Sequence, residues 1–408
     1  MRSVELFAGA GGLAMGMAAA GFRHAAVIEW DHDACETFRQ NQTHHAHSVE
    51  GWPLYEGDAR EYDFRAISGV VDVVSGGPPC QPFSVGGKHR GHRDARDMFP
   101  EAVRAVRELR PKAFIVENVK GLLRGQFEDY FHYVRMQLSR PDVVQVPGET
   151  WRQHSSRLQQ IEMRGDPAQY ILNYKLLNAA NYGVPQKRER VFVVGFRADL
   201  PVKWSFPVET HSLDALLVSQ WVTGEYWNRH NIARRARSSM PRHFLSQVLP
   251  LFQRTLEERE TLPWRTVRDA ICDLPDPEQS RSRHILNHVL NPGARSYAGH
   301  TGSPIDEAAK TLKAGDHGVP GGENMVALRN GRVRYFTVRE AARLQTFPDD
   351  YVFRGAWSEA MRQLGNAVPV KLAEVVARSV SNALTTLEKQ KPETAQKKAT
   401  VVRLSARA

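Results

Sequence analysis

Residues 4–17 read VELFAGAGGLAMGM, and no other stretch of the chain indicates a fold class so clearly. A short apolar run leads into a turn that contains Gly9 and Gly11, and an apolar, helix-like run that ends at Gly21 follows the turn. The turn fits the pattern G-x-G-x-x-G/A through Ala14, which lies between the first strand and first helix of many parallel sheets and lets a ligand approach the backbone. The stretch therefore predicts a strand, a ligand-binding turn and a helix.

The same alternation continues through the first half of the chain. Apolar runs at 24–30, 70–77 and 112–119 predict further strands, and MFPEAVRAVREL at 98–109 predicts an amphipathic helix that ends before Pro111. Strands that alternate with helices in this way form a parallel sheet. We therefore expect an α/β fold with a doubly wound, mostly parallel sheet and a second, smaller domain.

Changes in composition divide the chain into parts. The alternation fades from about residue 200, where Pro, Gly and Arg become frequent, and helical periodicity with an apolar stripe returns near the C-terminus. The expected division is a first domain over 1–199 with an insertion at about 140–170, a second domain over 200–325, a return to the first domain over 326–387, and a basic, disordered tail over 388–408.

Composition and charge exclude several classes of protein. With 41% hydrophobic and 25% charged residues, the chain is neither disordered nor fibrous. No apolar run is long enough to span a membrane and no secretory signal precedes VELFAGAGG, so we expect a cytoplasmic protein without membrane contacts. The net charge of +10 suits a polyanionic partner such as nucleic acid. The histidine run at 43–47 has no carboxylate or cysteine close by, and we expect no metal site there.

Three side chains at the ends of the second and third predicted strands, or just beyond them, suit a nucleotide-like cofactor. Glu29 ends the second strand, where an acid can accept hydrogen bonds from ribose hydroxyls. Trp30 follows and can stack on an adenine, and Asp58 can accept from an adenine amine. These residues would suit a dinucleotide as well as S-adenosylmethionine. The alternative for Trp30 is an aromatic side chain in the hydrophobic core.

A second group of residues suits chemistry at the same sheet edge. The segment GGPPCQPFS places Cys80 in a stiff loop after the fourth strand, and Glu117 ends the fifth strand. In a right-handed strand-helix-strand unit both residues stand at the carboxyl edge of the sheet. Arg188 and Arg190 lie two apart on an extended segment, so we expect them to project to one side toward a polar substrate. A packing cysteine, a surface glutamate and a solvated basic run are the alternatives.

Seven segments in this order resemble the successive motifs of DNA (cytosine-5)-methyltransferases, particularly those of bacterial restriction-modification systems. The segments are LFAGAGGLAMGM, EWD, GGPPCQPFS, ENVKGLL, NYGVPQKRERVFVVGF, VREAARLQTFPDDY and QLGNAVPVKLAE. The resemblance covers the chain except for 140–170, 200 to about 325, and the tail. It implies a Rossmann-like methyltransferase fold, S-adenosylmethionine as the cofactor, double-stranded DNA as the partner, a monomer without an obligate protein partner, and a target-recognition role for 200–325.

The resemblance also assigns site residues. The cofactor pocket corresponds to Phe7, Gly9, Gly11, Glu29, Trp30, Asp58, Pro79, Met98 and Asn366. Met98 differs from the leucine common in the family, a change that keeps the apolar contact. Cys80 matches the nucleophile and Glu117 the acid, and Arg188 and Arg190 match the arginines around the target base. The thiolate would add to carbon 6 of a cytosine flipped out of the duplex, while Glu117 and Arg190 relieve the ring's charge.

Three rival functions remain at the level of sequence. An RNA (transfer RNA) cytosine-5 methyltransferase would keep the chemistry and change the polymer. Against it stands the size of the region 200–325, where the arginines of 229–244 suit phosphates or guanine edges unless that run is only a solvated surface. A nicotinamide-dependent oxidoreductase leaves Glu117 and QLGNAVP unexplained. A non-catalytic DNA-binding relative would not need Cys80 and Glu117.

Overall fold

Seven strands form the main sheet of the computed structural model: β1 (Arg2–Leu6), β2 (Arg23–Glu29), β3 (Leu54–Glu56), β4 (Val73–Gly76), β5 (Ala113–Val119), β6 (Tyr170–Asn178) and β7 (Glu189–Arg197). Their order is β3-β2-β1-β4-β5-β7-β6. The first five strands are parallel, whereas β7 runs antiparallel to β5 and β6 antiparallel to β7. The predicted doubly wound, mostly parallel sheet is therefore confirmed.

The structure describes residues 1–43, 49–79, 97–237, 239–245, 261–298, 300–314 and 324–405. The helices in these ranges are α1 (Gly12–Ala19), α2 (His32–Thr43), α3 (Phe99–Leu109), α4 (Glu128–Ser139), α5 (Trp151–Met163), α6 (Leu213–Leu217), α7 (Glu225–Arg229), α8 (Val267–Ile271), α9 (Val338–Leu344), α10 (Trp357–Asn366) and α11 (Val370–Ser405). Short strands complete the fold: β8 (His211–Ser212), β9 (Leu262–Pro263), β10 (Ser303–Pro304), β11 (Met325–Ala327) and β12 (Val333–Tyr335). No described helix combines the length and apolar character needed to cross a membrane.

Helices cover both faces of the main sheet. On one face, Val4 and Val116 of the sheet pack with Phe99 of α3, Phe131 of α4 and Leu158 of α5. On the opposite face the strands pack against α1 and α11. This second cluster includes Leu13, Met17, Val73, Ile115, Phe192, Leu372, Val376 and Val380. Because strands covered on both sides must be apolar on both sides, this packing explains the continuous apolar runs of the sequence.

The first helix and the last helix pack at very close range. Gly12 and Gly16 lie one helical turn apart on α1, and a Cβ at Gly16 would come within 2.5 Å of the backbone nitrogen of Glu374 in α11. A Cβ at Gly12 would collide with the carbonyl oxygen of Val368. Because the two glycines have no side chain, α11 and the segment before it can pack directly against α1.

The described part of 200–325 packs onto the sheet domain. Leu216, Trp227 and Trp264 form a small core that includes Ala180, and Ile271 belongs to a cluster that includes Val27 of β2. At the start of the region, the ring of Trp204 lies beside Phe196 and its Nε1 donates to Ser379 of α11. Residues near 204 thus pack with the sheet domain.

Two segments outside the matched motifs are helical. The stretch 140–170 contains α5, whose cap Thr150 accepts from the backbone N–H of Gln153 while Gln153 accepts from Thr150 in return. The last helix continues to Ser405, within the tail expected over 388–408. The Ala, Lys, Gln and Glu residues of this part of the sequence have high helix propensity.

Candidate active site at the carboxyl edge of the sheet

The carboxyl ends of the parallel strands bring most of the predicted site residues to one edge. Phe7 follows β1, Glu29 ends β2, Asp58 follows β3, Pro79 follows β4, and Glu117 lies near the end of β5. The strands pair in parallel register, so residues that end neighbouring strands lie side by side. Chain topology alone therefore creates the site.

The first turn has the backbone conformation of a ligand cradle. Phe7, Gly9 and Gly11 all have positive φ, at 56°, 53° and 88°. A Cβ at Gly11 would lie 2.8 Å from Cζ of Phe38, whereas a Cβ at Gly9 would meet no atom of the described residues within 4 Å. Gly11 thus serves internal packing, and Gly9 leaves open space above the turn for a bound group.

Glu29 is held in place by backbone amides. Its Oε2 accepts from the N–H of Gly9 at 2.6 Å, and its Oε1 accepts from the N–H groups of Trp30 and Asp31 at 2.9 and 2.8 Å. Burial raises the pKa of this carboxyl and the backbone hydrogen bonds oppose that rise. Each oxygen has two lone pairs, so the carboxylate still has acceptor capacity for a ribose hydroxyl.

Trp30 and Asp58 form the outer part of this region. Trp30 is 71% exposed, so the alternative of a core aromatic is wrong for this residue. Asp58 accepts from the backbone N–H of Arg60 at 2.9 Å and forms an ion pair with its guanidinium, which lowers the pKa of Asp58. The Asp58 carboxylate therefore already has a partner.

The remaining cofactor candidates lie at different depths. Pro79 is half-buried, and Met98 is buried in the core immediately before α3. Asn366 is exposed at the last position of α10. The contact between Gly12 and Val368 holds the segment after Asn366 against the first turn.

Glu117 and Arg190 form a buried pair. Glu117 is 7% exposed, and Arg190 Nε lies 2.9 Å from its Oε1. That oxygen accepts no well-directed hydrogen bond among the described residues, so the contact is mainly electrostatic. Burial raises the pKa of Glu117, while Arg190 and Arg188 oppose the rise. A carboxyl that keeps its proton in such a place can donate a hydrogen bond to a base.

Arg188 does not share the position of Arg190. It is fully buried, and its guanidinium donates to the carbonyl oxygens of Leu312, Gly365 and Ala367 at 3.1, 2.6 and 2.9 Å. Arg188 directly precedes β7, and its described hydrogen bonds go to backbone carbonyls, while its Nε has no partner among the described residues. That both arginines face a polar substrate stays a prediction.

Cys80 lies outside the described residues, as does the rest of 80–96. Asn118, which was not among the predicted site residues, anchors the loop that leads to Cys80. Asn118 is 5% exposed, and its Nδ2 donates to the carbonyl oxygen of Pro78 at 3.0 Å. Gly77 packs beside the catalytic candidate, since a Cβ there would lie 3.0 Å from Glu117 Oε2. The sequence signal for this anchor is the side-chain amide of Asn118 directly after Glu117 near the end of β5.

Comparison with known proteins agrees with this geometry. The family model described as C-5 cytosine-specific DNA methylase matches residues 1–141 and 146–382. Type II methyltransferase M.NgoMIV of Neisseria gonorrhoeae is 31% identical over 386 residues, which cover 94% of this chain and 97% of that protein. Type II methyltransferase M.PspPI of Psychrobacter is 32% identical over 93% of this chain and 79% of its own length.

Solved structures share the fold. A putative DNA modification methyltransferase encoded within an Escherichia coli prophage has a TM-score of 0.55 and 21% identity, over 94% of this chain and 99% of that one. The Dnmt2 methyltransferase of S. pombe has a TM-score of 0.55 and 17% identity, over 95% and 99% of the two chains. With the family match over nearly the whole sequence, the chain belongs to the C-5 cytosine-specific DNA methylases and is a DNA (cytosine-5)-methyltransferase.

Proposed function

We propose that this enzyme methylates carbon 5 of a flipped cytosine within a specific sequence of double-stranded DNA, with S-adenosylmethionine as the methyl donor. One observation carries the proposal. The buried pair of Glu117 and Arg190 lies at the carboxyl edge of the sheet, beside the loop that Asn118 fastens two residues before Cys80.

The residues at the first turn fit S-adenosylmethionine. When bound, the donor supplies a methyl group on a sulfonium, which a carbon nucleophile can take. The open space at Gly9 admits a ligand to the backbone, and the fixed carboxylate of Glu29 offers acceptors for ribose hydroxyls. The exposed ring of Trp30 provides a stacking surface for adenine. Phe7, Gly11, Asp58, Pro79, Met98 and Asn366 complete the proposed pocket.

The chain's own groups prepare the cytosine. The Cys80 thiolate adds to carbon 6 of the ring, and this addition makes carbon 5 nucleophilic. Glu117 in its protonated form donates to ring nitrogen 3, while Arg190 donates to the carbonyl oxygen. Removal of the proton from carbon 5 then allows Cys80 to leave. Arg188 holds the start of the strand that carries Arg190 through backbone hydrogen bonds and is the second arginine proposed beside the target base.

The biological setting follows from the relatives. M.NgoMIV and M.PspPI are type II methyltransferases, and we infer that this chain is the modification enzyme of a restriction-modification system, acting as a cytoplasmic monomer. The transfer RNA alternative is less well supported, because the resemblance to Dnmt2 structures at 17% identity concerns the fold alone. Residues 200–325 would read the DNA sequence.

The test compares two cysteine variants. Cys80→Ala should abolish methyl transfer to DNA while S-adenosylmethionine still binds, because the thiol contacts the base and other residues hold the donor. Cys272→Ala, which changes an exposed cysteine, should keep full activity. Wild type should form a covalent adduct with DNA that carries 5-fluorocytosine, since fluorine blocks the final elimination. Methylation by the Cys80→Ala variant, read by bisulfite sequencing, would end this mechanism.

A further inference from the structure

A third buried glutamate lies near the active site, and the mechanism above does not use it. Glu5 of β1 is fully buried. The hydroxyl of Ser75 in β4 donates to its Oε2. Its Oε1 has no hydrogen-bond partner among the described residues. Because an unsatisfied buried carboxyl oxygen is costly, its presence calls for an explanation.

The strand register places Glu5 on the same face of the sheet as Glu117. Glu5 pairs with Ser75, and Ser75 pairs with Ile115, two residues before Glu117 on β5. Alternation along β5 puts Ile115 and Glu117 on one face, the face that α1 and α11 cover. Neighbouring strands are about 4.8 Å apart, so roughly 10 Å separates the β1 and β5 backbones.

Among the described residues, only small ones lie on β4 and its continuation between the positions of the two carboxyl groups. These are Ser75, opposite Glu5, and Gly77, which lies against Glu117 Oε2, while Val73 on the same face lies nearer the start of β4. Both carboxyl groups are buried, and the charge of Glu117 acts on Glu5. Two like charges cannot both form at low cost in buried positions of this kind.

Among the described residues, few charged groups lie around Glu5. On β7, Arg190 and Arg188 act on Glu117. On β2, His24 is turned to Ser3 and to the carbonyl oxygen of Ala14, and burial lowers its pKa to about 4, so it is neutral at pH 7. Helix α1 carries no titratable side chain, and three charged residues on the adjoining part of α11 form ion pairs with one another at the surface: Lys371, Glu374 and Arg378.

We propose that Glu5 is a positioning residue for Glu117, and that the two carboxyl groups together retain one proton that passes to Glu117 when a cytosine enters. In the resting enzyme Arg190 favours the ionised form of Glu117, and the proton lies on Glu5. When the base occupies the pocket, the O–H bond at Glu5 breaks, an O–H bond forms at Glu117, and the negative charge moves to Glu5. The Ser75 hydroxyl then stabilises the Glu5 carboxylate.

The direction of the titration agrees with this arrangement. Burial raises the pKa of Glu5 to about 8, the Ser75 hydrogen bond lowers it, and the charge of Glu117 raises it further. In wild type, activity should fall as pH rises through the loss of the pair's last proton. Without the Glu5 carboxyl group, the proton has only Glu117 to bind to. Because Arg190 favours ionised Glu117, that proton is then lost at lower pH.

The test is the pH profile of methyl transfer for three proteins. Glu5→Gln keeps the volume of the side chain, and its alkaline limb should move to lower pH by roughly one unit. Ser75→Ala removes the hydrogen bond to ionised Glu5, and its alkaline limb should move to higher pH with a lower plateau. Binding of S-adenosylmethionine and the melting temperature show whether each variant is folded. If Glu5→Gln lowers the rate by the same factor at every pH and the pH profile keeps its shape, the role of Glu5 is merely structural and the proposal is overturned.

This inference rests on the proposed role of Glu117, and a Glu117→Gln enzyme separates the two. If Glu117→Gln is inactive and Glu5→Gln has the wild-type pH profile, only the role of Glu5 fails. If Glu117→Gln retains wild-type activity, the mechanism itself fails. Should Glu5→Gln fail to fold, the direction of the Ser75→Ala shift decides the matter, since a shift to lower pH contradicts proton sharing.

Discussion

Two glutamates at strand ends are buried for different physical reasons. Glu29 accepts three backbone N–H groups, which fix its orientation and compensate its charge. Glu117 has a guanidinium beside it and one oxygen without a directed hydrogen bond. The first arrangement suits a group that binds a neutral hydroxyl, and the second suits a group that gains and loses a proton.

At the same scale, Trp30 offers a direct test of the cofactor assignment. Trp30→Ala should weaken binding of S-adenosylmethionine by about 1–3 kcal/mol, because a stacking surface is lost. Since the ring is 71% exposed, the change should leave the melting temperature of the protein alone nearly unchanged. Calorimetric titration gives the affinity, and Trp30→Phe should recover most of it. An altered methylation site with unchanged cofactor affinity would contradict the assignment.

Single residues also show where sequence reasoning ends. Glu29 and Glu117 were predicted because a strand end is visible in the local pattern. The role of Arg188 was not, since its partners Leu312 and Gly365 lie more than a hundred residues along the chain and are backbone carbonyls that no side-chain pattern reveals. Glu5 was hidden for another reason, because a lone acid within an apolar run carries no signal until the register supplies its neighbour.

Among the elements, the pairing of α1 with α11 determines which part of the chain lies over the glycine turn. Gly12 and Gly16 let the last helix approach the first, and the chain before α11 then lies over the glycine turn. Tyr351 adds a second tie, because its hydroxyl donates to the carbonyl oxygen of Ala10 at 2.9 Å. The C-terminal part of the chain thus packs against the glycine turn and helps to fix its position.

Gly16→Ala should therefore reduce both stability and cofactor binding. The added methyl group meets the backbone of α11, so the helices must separate, at a cost of about 1–3 kcal/mol in the free energy of unfolding. Chemical denaturation measures that loss, and titration measures the weaker binding of S-adenosylmethionine. Gly125→Ala is the matched control, because a Cβ there meets nothing within 4 Å. Equal stabilities of the two variants would contradict the close packing of α1 and α11.

Helices and strands with a strong apolar pattern lie where the sequence predicted them. The order of the strands in the sheet could not be predicted, because it depends on pairing between distant segments. The strands β1, β2, β4 and β5 and the helix α3 lie where apolar runs predicted them. The reversal that inserts β7 between β5 and β6 depends on hydrogen bonds between distant strands. Local patterns specify a strand, but only the folded sheet specifies its neighbours.

For the whole molecule, the arginines in and beside the second region divide into those in buried ion pairs and those exposed at the surface. Arg268 and Arg329 in and beside the second region are committed to Asp306, which is 7% exposed. Arg234 and Arg235 are exposed and take part in none of the ion pairs among the described residues. Within 229–244, Arg229 pairs with Asp269, whereas the exposed Arg234 and Arg235 lie side by side on a short surface segment.

The region 200–325 should carry sequence recognition independently of the chemistry. It contains none of the proposed cofactor or catalytic residues, yet Arg188 ties β7 to Leu312, so the region is fixed next to the strand that carries Arg190. Base contacts from this region should determine the site at about 1–3 kcal/mol per good contact, and phosphate contacts should make DNA binding fall steeply with salt. Exchange of 200–325 for the equivalent segment of a relative with another recognition sequence should move methylation to the donor's sequence, as bisulfite sequencing would show. The same chimera with Cys80→Ala should be inactive, and a folded, active chimera that still methylates the original sequence would place recognition elsewhere in the chain.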